Sequence, residues 1–314
     1  MALELVDRLE KFKVELKAQL GSIVVFDLNI GAKTTYRVGG NAMVSTTFSS
    51  VGQLEVISGL VSEFDIPVLI LGAGSNLLIS DRGFVGLCIV GDDTLKDLRT
   101  EKIDDDTVLV TATGPMALPT VARQLAKEGI SGFEWAVGIP GTVGGSIKTN
   151  AGGHGSQTSN TLLKVEMFDF KKNKLLSKTE EQLELKYRSS NLRDDQIVMN
   201  ATHRLSYADP IVLKNNIDQI VKWRRENQPG GQNAGSVFVN PKEISAGQLI
   251  DQLNLKSYRI RTAQVSPKHG NFIQADKNGS ADDVYELICH IKKIVAERTG
   301  IELQTELKLI GFNR

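Results

Sequence analysis

The sequence is poor in the residues that mark several large function classes. Among its 314 residues are only two cysteines, Cys88 and Cys289. Two thiols so far apart make neither a disulfide framework nor a metal cluster, and both lie in apolar strings, so both read as core thiols. The four histidines, His154, His203, His269 and His290, are scattered without carboxylate or thiol neighbours at ligand spacing, and no metal is expected. Excess charge is missing too: 37 basic side chains balance 37 acidic ones. Nucleic acids and anionic membranes select a basic surplus, so neither is expected as a partner. No apolar run approaches the roughly 20 residues of a membrane span, and the first residues lack a signal-peptide core. A G-x-S-x-G elbow and a Walker A loop are also absent, which removes the commonest hydrolase and NTPase readings. The expectation is a soluble cytoplasmic protein of two domains, or of one large domain with an insert.

What the chain does have is glycine, 29 residues of it, set in a β-rich texture. Residues 3–20 place Leu5, Leu9, Phe12, Leu16 and Leu20 at helical spacing. Short apolar runs cut by glycine follow up to about residue 118, interrupted by helical patterns at 51–64 and 117–128, the second closing on Gly129. Next come strand-like VEMFDF, a polar hairpin at 171–174, and QIVMNATHRL. A helix near 212–226 leads to the glycine-bearing loop QPGGQNAGS at 228–236. Beyond it, Ser245 with Gln248 and Ser280 with Asp283 have capping-box spacing. In the tail, Ile301, Leu303, Leu307 and Leu309 alternate with polar residues, which turns Glu306 away from a strand's core face.

Two glycine clusters could carry chemistry. In PVLILGAGSNLLIS, glycines at 72 and 74 follow a strand, but Leu77 occupies the third fingerprint position and the following residues are β-like, so a dinucleotide-binding helix is excluded. A strand-loop-strand of this kind is either a tight turn or a nest of backbone donors for phosphate. Residues 138–155, GIPGTVGGSIKTNAGGHG, contain seven glycines. That is too long and too apolar for a hairpin turn, and it lets backbone lie close against a flat ring. Two such loops about 70 residues apart suit one extended cofactor, with phosphates at the first and a ring at the second.

Taken in order, the motifs TTYRVGGNA (34–42), LGAGSNLLISDRGF (71–84), GFEWAVGIPGTVGGSIKTNAG (132–152), KYRSS (186–190), AGSVFVNP (234–241), AGQLID (246–251), VSPKHGNFI (265–273) and GIELQTELKLIG (300–311) resemble the UDP-N-acetylenolpyruvoylglucosamine reductases, flavoenzymes of cell-wall precursor synthesis. The agreement covers nearly the whole chain. Only about 20 residues separate KYRSS from the 212–226 helix, so the resemblance is to the compact second type.

The resemblance implies an α+β fold: a two-lobed FAD-binding region of the PCMH/VAO type over 1–208, with subdomains of about 1–90 and 91–208, and a substrate-binding domain over 209–314. In that scheme a strand at 301–311 brings Glu306 to the active site. It implies FAD as cofactor and NADPH as co-substrate, with a UDP-sugar enolpyruvyl ether as substrate. By motif position, Gly72, Ala73, Gly74, Ser75, Asn76, Gly138, Ile139, Pro140, Gly141, Gly144, Gly145 and Asn150 fall to the cofactor. Arg188, Ser236 and Glu306 match the catalytic arginine, the serine proton donor and the catalytic glutamate, with Arg188, Asn240 and His269 on the substrate. Departures at Asn227, Val239 and His154 touch positions that face substrate or flavin, which leaves a related FAD oxidoreductase with another substrate as the alternative. If the backbone at Gly74 must approach the pyrophosphate, Gly74→Val should abolish flavin retention, whereas a plain turn should tolerate it.

Overall fold

The structure is a computed structural model that describes residues 2–91 and 93–312. The local signals produce the expected helices. Ala2–Leu20 buries Leu9, Phe12 and Leu16 completely, and Phe12 meets Phe64 of the next helix edge-on at 6.2 Å. That next helix, Val51–Phe64, starts where the Ser50 hydroxyl accepts the Gln53 N–H, an N-cap. Leu118–Lys127 stops before Gly129, whose φ of +73° lets the chain turn back.

The chain divides into two compact units, which it enters alternately: residues 1–26, 44–73 and 86–223 form the first, and 27–43, 74–85 and 224–314 the second. The division falls within the first glycine loop and within the helix Pro210–Asn227, not at 208/209. Two short N-terminal segments therefore fold with the C-terminal residues. Pairing between distant segments, invisible to local composition, sets this arrangement.

The first unit is built on an antiparallel sheet in which Gln196–Tyr207 is central, flanked by Leu162–Asp169 and Thr107–Thr113. Alternation along Thr107–Thr113 buries Val108, Val110 and Ala112 against Leu118, Val121 and Leu125 of the adjacent helix. The hairpin expected at 171–174 joins Leu162–Asp169 to Lys174–Thr179. Its turn is tied at Asp169, which is fully buried, accepts from Arg193 and Gln196, and is held below the usual carboxylate range by those bonds in spite of its burial.

The second unit packs the helix Ala281–Thr299 on a three-stranded antiparallel sheet of Arg259–Ile260, Ala263–Val265 and Ile273–Ala275. Ser245 and Gln248 make the full capping box of Ala246–Gln252. At Ser280 only half of the box forms: the hydroxyl accepts the Asp283 N–H, but the Asp283 carboxylate accepts instead from Arg261 and Thr262. Cys88 is buried, but Cys289 is exposed, because helical spacing turns Val284, Leu287, Ile288 and Ile291 inward and residue 289 outward. The expected strand at 301–311 contracts to Lys308–Ile310, paired parallel with Leu77–Ile79. Leu303 and Leu307 are buried as the alternation requires, while Glu306 lies in a bend just before the strand and is half-buried.

Candidate active site

The first glycine loop joins Val68–Leu71 to Leu77–Ile79. None of the backbone N–H groups of residues 72–76 donates to another described residue, and the Ser75 hydroxyl is equally unengaged, although Gly74 is buried. A buried or half-buried amide without an acceptor is uncommon, and residues 73–76 supply four in succession next to the exposed Gly72, an arrangement suited to an anion. The loop is framed by its carbonyls and by one side chain. The Gly74 carbonyl accepts the Thr35 N–H at 3.2 Å, and the Asn76 carbonyl accepts the Lys308 N–H at 3.1 Å. In return the Asn76 side-chain amide donates to the Glu306 carbonyl at 3.1 Å.

Gly74 is demanded by the protein itself. Its φ is +61°, and a Cβ there would stand 2.7 Å from the Thr34 Cα. A substitution at Gly74 therefore strikes the fold before any ligand is considered, and it cannot separate a phosphate loop from a turn.

The second cluster is organised differently. Residues Glu134–Gly138 form a 3₁₀ turn, and Val143–Thr149 is a helix despite containing Gly144 and Gly145. The Thr142 hydroxyl caps it by accepting the Gly145 N–H at 3.1 Å. The Ile139, Gly141 and Gly144 amides donate to the carbonyls of Ala136, Ile139 and Gly114, and Pro140 has no N–H. These positions offer a ring close backbone surface, with few amide donors left over.

Asn150 ends the helix in a left-handed conformation, φ +40°, and is buried. Its carboxamide donates to the Lys186 carbonyl and accepts the Ser159 N–H. Thr142 went unnoticed in the sequence because two glycines depress helix propensity immediately after it. It also joins the clusters: a Cβ on Gly72 would lie 2.8 Å from the Thr142 hydroxyl oxygen.

Arg188 sits in the tight turn 186–189, closed by reciprocal Lys186–Ser189 backbone bonds. Its φ is +56°, a left-handed conformation that costs a branched or long side chain about 1 kcal/mol or more. Three bonds fasten this turn to the second cluster: Arg188 Nη1 to the Gly152 carbonyl, Asn150 to Lys186, and the Ser190 hydroxyl to the Lys148 carbonyl. The first unit thus assembles Gly72, the 138–152 segment and Arg188.

The second unit assembles another group. Ser236 follows Gly235, whose φ is +77°, and precedes buried Val237 and Phe238. The Val237 carbonyl accepts the Glu306 N–H at 2.8 Å, and Val239 donates to the Gln304 carbonyl, so the Ser236 and Glu306 segments run antiparallel side by side. Through Glu306 both adjoin Asn76. The Ser236 hydroxyl is half-buried and bonds to no described residue, unlike most serines in such loops.

Asn271 holds this strip from behind, accepting the Phe238 N–H and donating to the Phe238 carbonyl. The remaining expected residues serve partly as braces. Asn240 is exposed, and its side-chain oxygen accepts the Ala246 N–H. His269 Nδ1 accepts the Asn271 N–H at 3.1 Å, which leaves the proton on Nε2. Burial, and secondarily the nearby Lys256 charge, hold the His269 imidazole below its ordinary pKa.

Among the described residues, no three His, Cys, Asp or Glu side chains group to hold a metal, and no helix is long and apolar enough to cross a membrane. Residues 44–176 match an FAD binding domain, and residues 227–310 match the C-terminal domain of UDP-N-acetylenolpyruvoylglucosamine reductase. The chain is 38% identical over 302 residues to the reductase of that name from Synechocystis sp., covering 94% of this chain and 93% of that one. Identity to the Bacillus subtilis reductase is 35% over 309 residues, 98% of this chain and 100% of the other. The crystal structure of the Thermus caldophilus reductase, 29% identical, superimposes with a TM-score of 0.76 over 90% of this chain and 97% of that chain.

Proposed function

The chain belongs to the UDP-N-acetylenolpyruvoylglucosamine reductases, FAD-dependent enzymes of peptidoglycan precursor synthesis, and from that premise we propose which of its residues carry the reaction. The reaction reduces UDP-N-acetylglucosamine enolpyruvate to UDP-N-acetylmuramate at the expense of NADPH. FAD, when bound, would supply the hydride chemistry, taking a hydride from NADPH and passing it to the terminal carbon of the enolpyruvyl ether. The residues present suit that cofactor: the five unengaged amides of residues 72–76 match a pyrophosphate, and the 138–152 segment offers backbone surface for a ring.

The substrate's difficulty is electronic. An enol ether accepts hydride poorly, because negative charge must build on the carbon beside the carboxylate. Arg188 meets that charge as a fixed cation on the carboxylate, and its strained, thrice-anchored turn keeps the guanidinium from relaxing away. Glu306 orients the same carboxylate through a shared proton. Ser236 delivers the proton to the charged carbon as the new C–H bond forms, and water restores the serine. A hydroxyl is a weak acid, so it must be held close to the carbon and free of competing bonds. The observation that carries this assignment is the unengaged Ser236 hydroxyl on a segment paired with that of Glu306.

Rapid mixing with detection at the flavin band tests it. Ser236→Ala should leave flavin reduction by NADPH nearly intact and slow reoxidation by substrate by at least about 10²-fold. Folding should change little, since the hydroxyl supports no described contact. Equal slowing of both half-reactions, or none of the second, would make Ser236 structural.

A further inference from the structure

The loop that carries the chain to Ser236 is fixed at both ends within the second unit. At its entry Gln232 donates through Nε2 to the carbonyls of Tyr36 at 2.9 Å and Asp276 at 3.0 Å, and its own carbonyl accepts the Ala275 N–H at 2.9 Å. At its exit the Val237 N–H donates to the Asn271 carbonyl at 2.9 Å. Between these anchors, the backbone of residues 233–236 makes no bond to the backbone of another described residue. Ala234 is buried and holds its place by packing.

One side chain restrains the rest of the span. The Asn233 Oδ1 accepts the Gly235 N–H at 3.0 Å, while Nδ2 donates to the carbonyls of Gly230 and Gly231, each at 3.2 Å. Gly235 needs that restraint. Its φ is +77°, and a Cβ there would meet nothing within 4 Å, so no packing limits rotation of its backbone. The Ser236 hydroxyl follows directly and has no bond of its own to a described residue that would steady it. Both hydrogens of the Asn233 carboxamide are spent on the loop, which leaves the group no donor for a substrate.

We infer that Asn233 is a positioning residue for the proton transfer: by clamping the Gly235 N–H it holds the Ser236 hydroxyl on one line of approach to the charged carbon. The inference rests on the reading of Ser236 as proton donor. A weak acid depends on geometry, and a displacement of about 1 Å can cost up to about 10²-fold in rate.

Rapid mixing of the FAD-loaded protein with NADPH and then with substrate tests it in four variants, Asn233→Ala, Asn233→Asp, Ser236→Ala and the double Asn233→Ala/Ser236→Ala. Asn233→Ala should slow the limiting rate of flavin reoxidation about tenfold, with half-saturation by substrate and the rate of flavin reduction within about twofold of the unaltered protein. Asn233→Asp keeps the acceptor for Gly235 and should stay within about threefold of the full rate. In the Ser236→Ala background, Asn233→Ala should add nothing, because the group it positions is gone. Asn233→Ala reoxidised at the full rate beside a slow Ser236→Ala overturns the positioning role alone. Equal slowing with and without Ser236, or of both half-reactions, overturns it as well, and Asn233→Asp as slow as Asn233→Ala removes the clamp on Gly235 as its cause. Ser236→Ala reoxidised at the full rate sinks the serine's own role, and the inference with it.

Discussion

Residues 72–76 and residues 138–152 look alike as sequence, two runs of small residues in a β-rich chain, yet they put their backbone to opposite uses. In the first, no amide N–H donates to another described residue, and the carbonyls of Gly74 and Asn76 do the anchoring. In the second, the amides of Ile139, Gly141, Gly144 and Gly145 are taken up by a capped helix and its neighbours. Glycine thus signals close backbone approach in both places, but only hydrogen-bond accounting says whether the approaching group is a ligand or another part of the chain.

The sharpest way to break this contrast is Gly74→Val. A β-branched residue at φ +61° facing the Thr34 backbone should cost about 3 kcal/mol or more, seen as a large fall in melting temperature even without flavin. A stable Gly74→Val protein would mean that the loop is looser than its geometry.

Ser75→Glu attacks the ligand side alone. It sets a carboxylate among the free amides on a half-buried, unengaged side chain, so FAD affinity should drop by about 10²-fold or more while the flavin-free protein keeps its stability within about 0.5 kcal/mol. Flavin release on dilution and thermal melts of the stripped protein read the two effects separately.

The smallest effect belongs to the second segment. Thr142→Val removes the cap and leaves the Gly145 N–H without its acceptor, which should cost about 1 kcal/mol of stability and change FAD affinity less than tenfold. A loss of affinity as large as that of Ser75→Glu would erase the distinction between the loops.

Local signals carried the sequence reading where local physics decides. Ser245 and Ser280 each began the helix their spacing announced, because a cap and its N–H lie within three residues. The reading of Glu306 was half right for an instructive reason. Alternation found the buried Leu303 and Leu307, but the strand's length is set by its partner at Leu77–Ile79, which no local pattern contains. Cys289 was misplaced because an apolar string inside a helix still has an outer face. The roles of Asn150, Asn240 and His269 as braces were also hidden, since a side chain's hydrogen-bond partner is a fact of the tertiary structure.

The reciprocal bonds between Asn76 and the Glu306–Lys308 backbone join positions 230 residues apart. During translation the strand Leu77–Ile79 leaves the ribosome with its edge bare and waits for residues 308–310, made just after Glu306 and long after the first glycine loop. The cradle at residues 72–76 is framed only when that late strand docks. A nascent chain cut short before it would carry the nucleophile-poor, glycine-rich half of the site without the frame that shapes it, so loading of cofactor marks a chain whose synthesis has reached the last catalytic position.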